Sequence, residues 1–240
     1  MDILNKVTII TGASAGIGLA TARCFADKGA KVVLVARSAD KLTALAEELG
    51  SQGHEALPLP ADMRNQTAIT QMIEQAFQHY GRIDILINNA GQAAAGMVAD
   101  VNPEDFRHIL ALNVFGPLYA MQAVIPKMRQ GGGGLILNIS SMVSKMHIPG
   151  LAAYAATKTA LNMLSETARV ELASENIRVI TVYPRLTATD FGKNSIGNQQ
   201  VRQRQRAQTS GGQVPDSPEL VAERILQAAQ NEPAEQYMDA

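Results

Sequence analysis

Short runs of apolar, often β-branched residues alternate along this chain with longer stretches in which apolar positions recur at helical spacing. Val7–Ile10 reads as a strand, and the helical pattern from Ile17 to Lys28 stops at Gly29. Lys31–Ala36 is a second strand, followed by a helix over Lys41–Leu49. A weaker strand, His54–Leu59, lies between proline-containing turns. Gln66–Tyr80 is a helix closed by Gly81, and Ile83–Asn88 is a strongly apolar strand. The second half repeats the scheme. A long helical region runs from Pro103 to Met128, and Pro117 inside it should kink or divide it. After Gly131–Gly134 come the strand Leu135–Ile139, the helix Ala152–Ala173 and the strand Ile177–Tyr183. The helix Pro218–Gln230 and a strand-like tail at Gln236–Met238 end the pattern.

Continuous apolar strands with helices between them imply a parallel sheet covered on both faces. Right-handed crossovers then give an α/β, doubly wound, Rossmann-type three-layer sandwich around a parallel sheet of about seven strands. No linker interrupts the pattern, so residues 1–240 are expected to form a single domain. Thr187–Pro215 breaks the alternation: it carries Gly192, Gly197, Gly211 and Gly212, and Arg202, Arg204 and Arg206 alternate with Gln203 and Gln205. A long polar excursion after a sheet strand is expected to be a mobile substrate-binding lid, the plainer alternative being a solvated surface helix.

Composition narrows the function. With 46% hydrophobic residues, 4% aromatic and no Trp, aliphatic side chains must fill the core. The 21 basic and 22 acidic residues leave a net charge of −1, which argues against a nucleic-acid partner. Cys24 has no partner for an intramolecular disulfide and reads as an inert helix thiol. His54, His79, His108 and His147 lack ligand spacing, so no metal site is expected. The N-terminus has no basic region followed by an apolar one, and no stretch approaches the roughly 18 apolar residues of a membrane span. A soluble cytoplasmic protein without a membrane partner is the expectation.

The first strand runs into Thr11-Gly12-Ala13-Ser14-Ala15-Gly16-Ile17-Gly18, where a helix begins. Gly12 permits a tight turn, Gly16 lets backbone N–H groups approach a pyrophosphate, and Gly18 lets helix and strand pack closely. The helix N-terminus adds its positive dipole end. The spacing departs from G-x-G-x-x-G, but strand, loop and helix together point to dinucleotide binding. The second strand ends at Ala36-Arg37-Ser38, where NAD sites usually place an acid for the ribose 2′-hydroxyl. Alanine followed by Arg37 suits a 2′-phosphate instead, with the Ser14 hydroxyl able to add to it, so NADP(H) is the expected cofactor.

Tyr154 and Lys158 share a helix face, and Ser141 ends the preceding strand, so all three meet at the sheet edge where ligands bind. A nearby ammonium favours phenolate and would lower the tyrosine from its usual value near 10. Such a tyrosine can protonate a forming alkoxide or deprotonate an alcohol. Ser141 can bond the substrate oxygen.

With these motifs, Asn88-Asn89-Ala90-Gly91 and Asn113, nearly the whole chain resembles the short-chain dehydrogenases/reductases in their compact single-domain form. The resemblance implies a tetrad of Asn113, Ser141, Tyr154 and Lys158. Tyr154 would be the general acid/base, and Lys158 would hold the nicotinamide ribose. Ser141 would position the carbonyl, with Ser140 structural, and Asn113 would stabilise its helix and a water linked to Lys158. It further implies cofactor contacts from the Gly12–Gly18 loop including Ile17, from Asp62 and Met63 at the adenine, and from Asn89, Ala90 and Gly91. Pro184, Thr187 and Thr189 would lie near the nicotinamide. Where the family usually has Pro-Gly, this chain has Pro184-Arg185, and that guanidinium could select an anionic substrate or point outwards. A tetramer or dimer through Pro103–Met128 and Ala152–Ala173 is implied too. The leading expectation is an NADP(H)-dependent carbonyl reductase or alcohol dehydrogenase. The alternatives are a 3-oxoacyl-thioester reductase, with Lys127, Arg129 and Arg169 as a carrier-protein surface, and a non-catalytic NADP sensor.

Overall fold

A computed structural model describes residues 1–201, 203 and 214–238. Its strands are β1 (Val7–Thr11), β2 (Lys31–Ala36), β3 (Ala56–Pro60), β4 (Ile85–Asn88), β5 (Ala94–Ala95), β6 (Gly134–Ile139), β7 (Ile177–Tyr183), β8 (Ile196–Gly197) and β9 (Glu235–Tyr237). Between them lie α1 (Gly16–Asp27), α2 (Ala39–Ser51), α3 (Gln66–Tyr80), α4 (Pro103–Leu110), α5 (Gly116–Gln130), α6 (Ala152–Glu171) and α7 (Pro218–Asn231). Seven strands form one sheet in the order β3-β2-β1-β4-β6-β7-β9, with every pair parallel.

The pleat divides the apolar strand residues between two cores. Val7, Ile9, Val33, Val35, Leu86 and Ile136 pack under α3 and α5. Ile10, Val32, Leu34, Ile85, Ile87 and Leu135 pack under α1, α2 and α7. This is the Rossmann-type sandwich expected from the alternation. β3 starts two residues later than its sequence suggests and lies at a sheet edge, where Pro58 and Pro60 are tolerated.

The break expected at Pro117 takes the form of a π turn over Ala111–Phe115, in which the Gly116 N–H reaches the Ala111 carbonyl. The segment Pro103–Gln130 is long and apolar enough, by length and composition, to cross a membrane, which corrects the sequence expectation. Its apolar side is instead core: Ile109, Ala120, Met121, Val124 and Met128 are buried. Cys24 is half-buried on α1, and burial pushes its thiol up to about 11, so it stays protonated and unreactive at neutral pH.

The strand order changes direction between β1 and β4, since chain progress runs outwards to β3 on one side and to β9 on the other. In such sheets the crevice at the carboxyl ends of the two central strands receives ligands. Two strands escaped the sequence reading. β5 and β8 form a separate two-stranded parallel sheet, pairing Ala94 with Ile196 and Ala95 with Gly197.

Candidate active site

At the crevice the ends of β1 and β4 are laced together. The Thr11 hydroxyl accepts the N–H groups of Asn89 and Ala90, each at 3.0 Å, and the Asn89 amide donates to the Thr11 carbonyl at 2.9 Å. Asn89 is therefore a brace of the loop. A Cβ on Gly18 would lie 2.3 Å from the Gly12 carbonyl, so α1 can approach the loop this closely only with glycine there. The α1 N-cap is Ala15, which supplies no side-chain cap, and the first turn carries no acid. Helices α3, α4 and α7 are capped by Asn65, Asn102 and Ser217. The first N–H groups of α1 are thus left for an external acceptor, which is what a pyrophosphate provides. Gly16 leaves the space between this turn and Thr189, whose methyl would lie 3.0 Å from a Cβ there. An open cleft of about 470 Å³ is lined here by Ala15, Gly16, Thr189, Asp190 and Lys193. Ser14 and Ile17 flank it, both half-buried.

At the far end of the crevice, Arg37 is exposed just past β2, and its charge is felt at Asp62. The Asp62 carboxyl is held below its usual range, first by its hydrogen bonds from Arg64. Those run from Arg64 Nε to Oδ1 at 3.0 Å and from Nη2 to Oδ2 at 2.5 Å. Met63 is buried in the core under α3 and α5, and its carbonyl would lie 2.4 Å from a Cβ on Gly116. Its side chain therefore packs the fold, while its neighbour Asp62 is partly exposed.

Ser141, Tyr154, Lys158 and Asn113 come together at the ends of β4 and β6. Ser141 follows β6 and caps the short turn after it, its hydroxyl accepting the Val143 N–H at 3.3 Å. Ser140 is buried and donates to Asn162 at 2.5 Å, a structural position as expected. Asn162 donates to the Ser144 hydroxyl at 3.0 Å, and that hydroxyl donates to the Ser141 carbonyl at 2.7 Å, so the polar chain holds Ser141 in place. Lys158 donates to the Ile139 carbonyl at 2.8 Å, and its ammonium lies 5.9 Å from the centre of the Tyr154 ring.

The electrostatics differ from the sequence expectation. Burial raises the Tyr154 hydroxyl above its ordinary value, and a hydrogen bond with Ser141 only partly offsets this. Burial likewise pushes Lys158 down to about 8. Both shifts have one cause, loss of water around the charged form, which proximity in sequence does not report.

Asn113 sits in the π turn and clamps the loop after β4. Its Oδ1 accepts the Gln92 N–H at 2.9 Å, and its Nδ2 donates to the Gln92 carbonyl at 2.8 Å and to Thr157 Oγ1 at 3.0 Å. A Cβ on Gly91 would lie 3.3 Å from Asn113 Oδ1 and 3.5 Å from Lys158 Nζ, so glycine keeps the space above these two groups open.

The segment beginning at Thr187 is anchored in its described part. Pro184 accepts the Met142 N–H at 3.0 Å, and the Thr187 hydroxyl donates to the Arg185 carbonyl at 3.0 Å. Thr189 caps a short turn, and Phe191 packs on the Tyr154 ring with centres 5.8 Å apart. β8 then seats the segment on β5. Arg185 pairs with the buried Asp216, Nη2 to Oδ1 at 3.0 Å, and so ties the two ends of the excursion together. Arg202, Arg204, Arg206, Gly211 and Gly212 lie outside the described residues.

Sequence reasoning missed Thr157, Asn162 and Arg64, and the bracing bonds of Thr11 and Gln92. Asn162 was findable, because it follows Tyr154 and Lys158 on the same helical face. Thr157 and the bonds of Thr11 and Gln92 join distant segments, for which no local signal exists, while Arg64 pairs with Asp62 two residues away.

Residues 6–200 match the short chain dehydrogenase family. The chain is 33% identical to the uncharacterized oxidoreductase YxnA of Bacillus subtilis over 237 residues, covering 98% of this chain and 65% of that protein, a little under two thirds of its length. Among solved structures it superposes on a 3-ketoacyl-(acyl-carrier-protein) reductase from Brucella melitensis complexed with NADH, with TM-score 0.83 and 30% identity over 94% of this chain and 91% of that one. L-Sorbose reductase from Gluconobacter frateurii, complexed with NADPH and L-sorbose, superposes with TM-score 0.83 and 30% identity over 95% and 91%. A glycine-cradled crevice, a sheet of this order and matches along nearly its whole length agree: the chain is an oxidoreductase of the short-chain dehydrogenase/reductase family.

Proposed function

We propose that this protein is an NADP(H)-dependent carbonyl reductase or alcohol dehydrogenase, working as one domain over residues 1–240 with Thr187–Pro215 as its substrate-side segment. The observation that carries the reading is the buried, protonated Tyr154 beside Ser141 and Lys158, at the mouth of a nucleotide crevice. The nicotinamide, when bound, supplies or accepts the hydride. Tyr154 donates its phenolic proton to the oxygen of the carbonyl being reduced, and takes it back in the alcohol direction. The hydroxyl carries its proton at neutral pH, and a charge brought beside it would have to offset the burial that makes it a weaker acid than a free tyrosine. Ser141 orients the carbonyl oxygen and bonds the charge that grows on it. The Lys158 ammonium holds the ribose and offsets the phenolate left after proton transfer. Asn113 positions the loop at Gln92 and Gly91 over the same space.

Following NADPH consumption at the nicotinamide absorbance across a panel of aldehydes and ketones tests this reading, and no turnover on any of them would remove it. A 3-oxoacyl thioester in the same panel tests the carrier-protein alternative. Its proposed docking cations are already engaged, Lys127 with Glu74 at 2.7 Å, Arg129 with Glu175, and Arg169 with the Val179 carbonyl at 2.8 Å.

The Lys158 value sets a pH limit. Its charge is present below about 8 and lost as pH rises through that value. For reduction, kcat/KM should fall on that alkaline side. Lys158→Arg, whose guanidinium stays charged, should flatten the limb whatever it does to the maximum. A wild-type profile that stays level well past this value would detach Lys158 from the chemistry.

We further propose a dimer or tetramer. Met163 and Val170 on α6 are 64% and 78% exposed, and Phe115 before α5 is 42% exposed, an apolar set on the two helices named from the sequence. Light scattering of a monomer at micromolar concentration would reject it.

A further inference from the structure

One chain of polar contacts crosses four separate segments and belongs neither to the tetrad nor to the core. It starts at Asp62, which holds Arg64 through both carboxylate oxygens. Arg64 Nη1 lies 3.3 Å from His108 Nδ1 and 3.2 Å from Nε2, and His108 Nε2 lies 3.1 Å from Gln92 Oε1. Gln92 Nε2 then donates to the Asn194 carbonyl at 2.7 Å. These groups satisfy one another in one arrangement. An Nε2–H on His108 donates to Gln92, and Arg64 Nη1 lies against the imidazole ring within 3.3 Å of both its nitrogens. The Gln92 amide is thereby turned with its NH₂ towards Asn194. Its backbone is clamped independently by Asn113.

The two ends of this chain meet different things. Asp62 lies at the adenosine end of the crevice, near Arg37. Asn194 begins the stretch that is seated on the loop after β4. The Ile196 N–H donates to the Ala93 carbonyl at 3.0 Å, the Ser195 hydroxyl to the same carbonyl at 3.2 Å, and the Asn198 N–H to Ala95 at 2.8 Å. That stretch follows Phe191, which packs on Tyr154. A nucleotide covering Asp62 and Arg64 removes water from their ion pair and strengthens it. Arg64 is then fixed against His108, and His108 against Gln92.

We infer that Gln92 and His108 are positioning residues that couple filling of the adenosine end of the cofactor site to the seating of residues 190–198 over Tyr154. This rests on the cofactor orientation of the proposed function. Neither side chain touches the reacting atoms. Their effect is a coupling free energy between two ends of one site, and it acts through the bond to Asn194.

Fragments that carry only the adenosine half test this, because they cannot reach Tyr154. Hydrogen exchange of residues 190–198 is measured in the free protein and with saturating adenosine 2′,5′-bisphosphate or ADP, while calorimetry reports the binding itself. In the wild type the fragment that binds should slow exchange there by about fivefold or more. His108→Phe and Gln92→Met should bind the fragment within a small factor of wild type yet lose most of that gain. Gln92→Met keeps the main-chain clamp to Asn113, so the loop remains in place. His108→Gln can still accept from Arg64 and donate to Gln92, and should restore the gain. Equal protection in wild type and His108→Phe would overturn the inference, since it would mean that the phosphates act directly through Gly16 and Thr189. No protection in the wild type would overturn it as well. Binding of ADP in preference to the bisphosphate would defeat the NADP reading while leaving the coupling to stand on its own result. Binding of neither fragment would defeat both.

Discussion

Tyr154→Phe should lower kcat by about 10²-fold or more, while the affinity for NADPH changes little. Only the hydroxyl is removed. The ring keeps its place against Phe191, 5.8 Å away between centres, and α6 loses no packing. The hydroxyl is also the group of the tetrad that carries a transferable proton at the sheet edge, beside Ser141. Without it, no other described residue of the tetrad can donate well. Ser141 is a weak acid, and Lys158 is tied to the Ile139 carbonyl at 2.8 Å. Single-turnover kinetics with NADPH in excess separate the chemical step from binding. Near-normal turnover would place the proton donor elsewhere and end the assignment of Tyr154. A parallel loss of cofactor affinity would make the tyrosine a binding group instead.

The second large effect is on cofactor choice. Arg37→Asp should exchange a preference for NADP(H) for one towards NAD(H). Loss of a charge-assisted bond to the 2′-phosphate costs about 1.5–3 kcal/mol, or roughly 10- to 100-fold in kcat/KM. The introduced carboxylate adds repulsion to the phosphate and a partner for the ribose hydroxyls. The structure supports this beyond the missing acid at Ala36. Arg37 is exposed where β2 ends, and the nearby Asp62 is engaged by Arg64, so its charge is largely offset. Ratios of kcat/KM for the two cofactors, in wild type and variant, decide the matter. Equal or better use of NADH by the wild type would refute the preference. An unchanged ratio in the variant would show that Arg37 points into solvent. The comparison structures leave both outcomes open, because one relative carries NADH and the other NADPH.

The alternation of apolar runs and helical patterns settled the fold class from the sequence, because buried parallel strands must be apolar on both faces and helices must cover them. It also located the glycine loop, since a helix beginning one turn after a strand constrains which residues fit there. The spacing of Tyr154 and Lys158 on one helix was legible for the same reason: helical geometry is local. The prolines of β3 were legible as a weak strand, and the helix break near Pro117 as an interruption, though not as a π turn. That form depends on the backbone bond from Gly116 to Ala111 and on packing around it.

What depends on distant segments was not legible. The pairing of β5 with β8 joins residues about a hundred positions apart through two-residue strands, too short for any periodic signal. It seats the start of the Thr187–Pro215 segment on the loop after β4. The ion pair of Arg185 with Asp216, thirty-one residues on, was equally out of reach of the sequence. The sequence by itself determined which side chains exist to do chemistry and which local frames carry them. The tertiary structure alone decided how dry those side chains are and what they bond. Burial set Tyr154 above and Lys158 below their ordinary values against the trend that their spacing suggested, because desolvation is a property of everything packed around a group rather than of its neighbours in the chain.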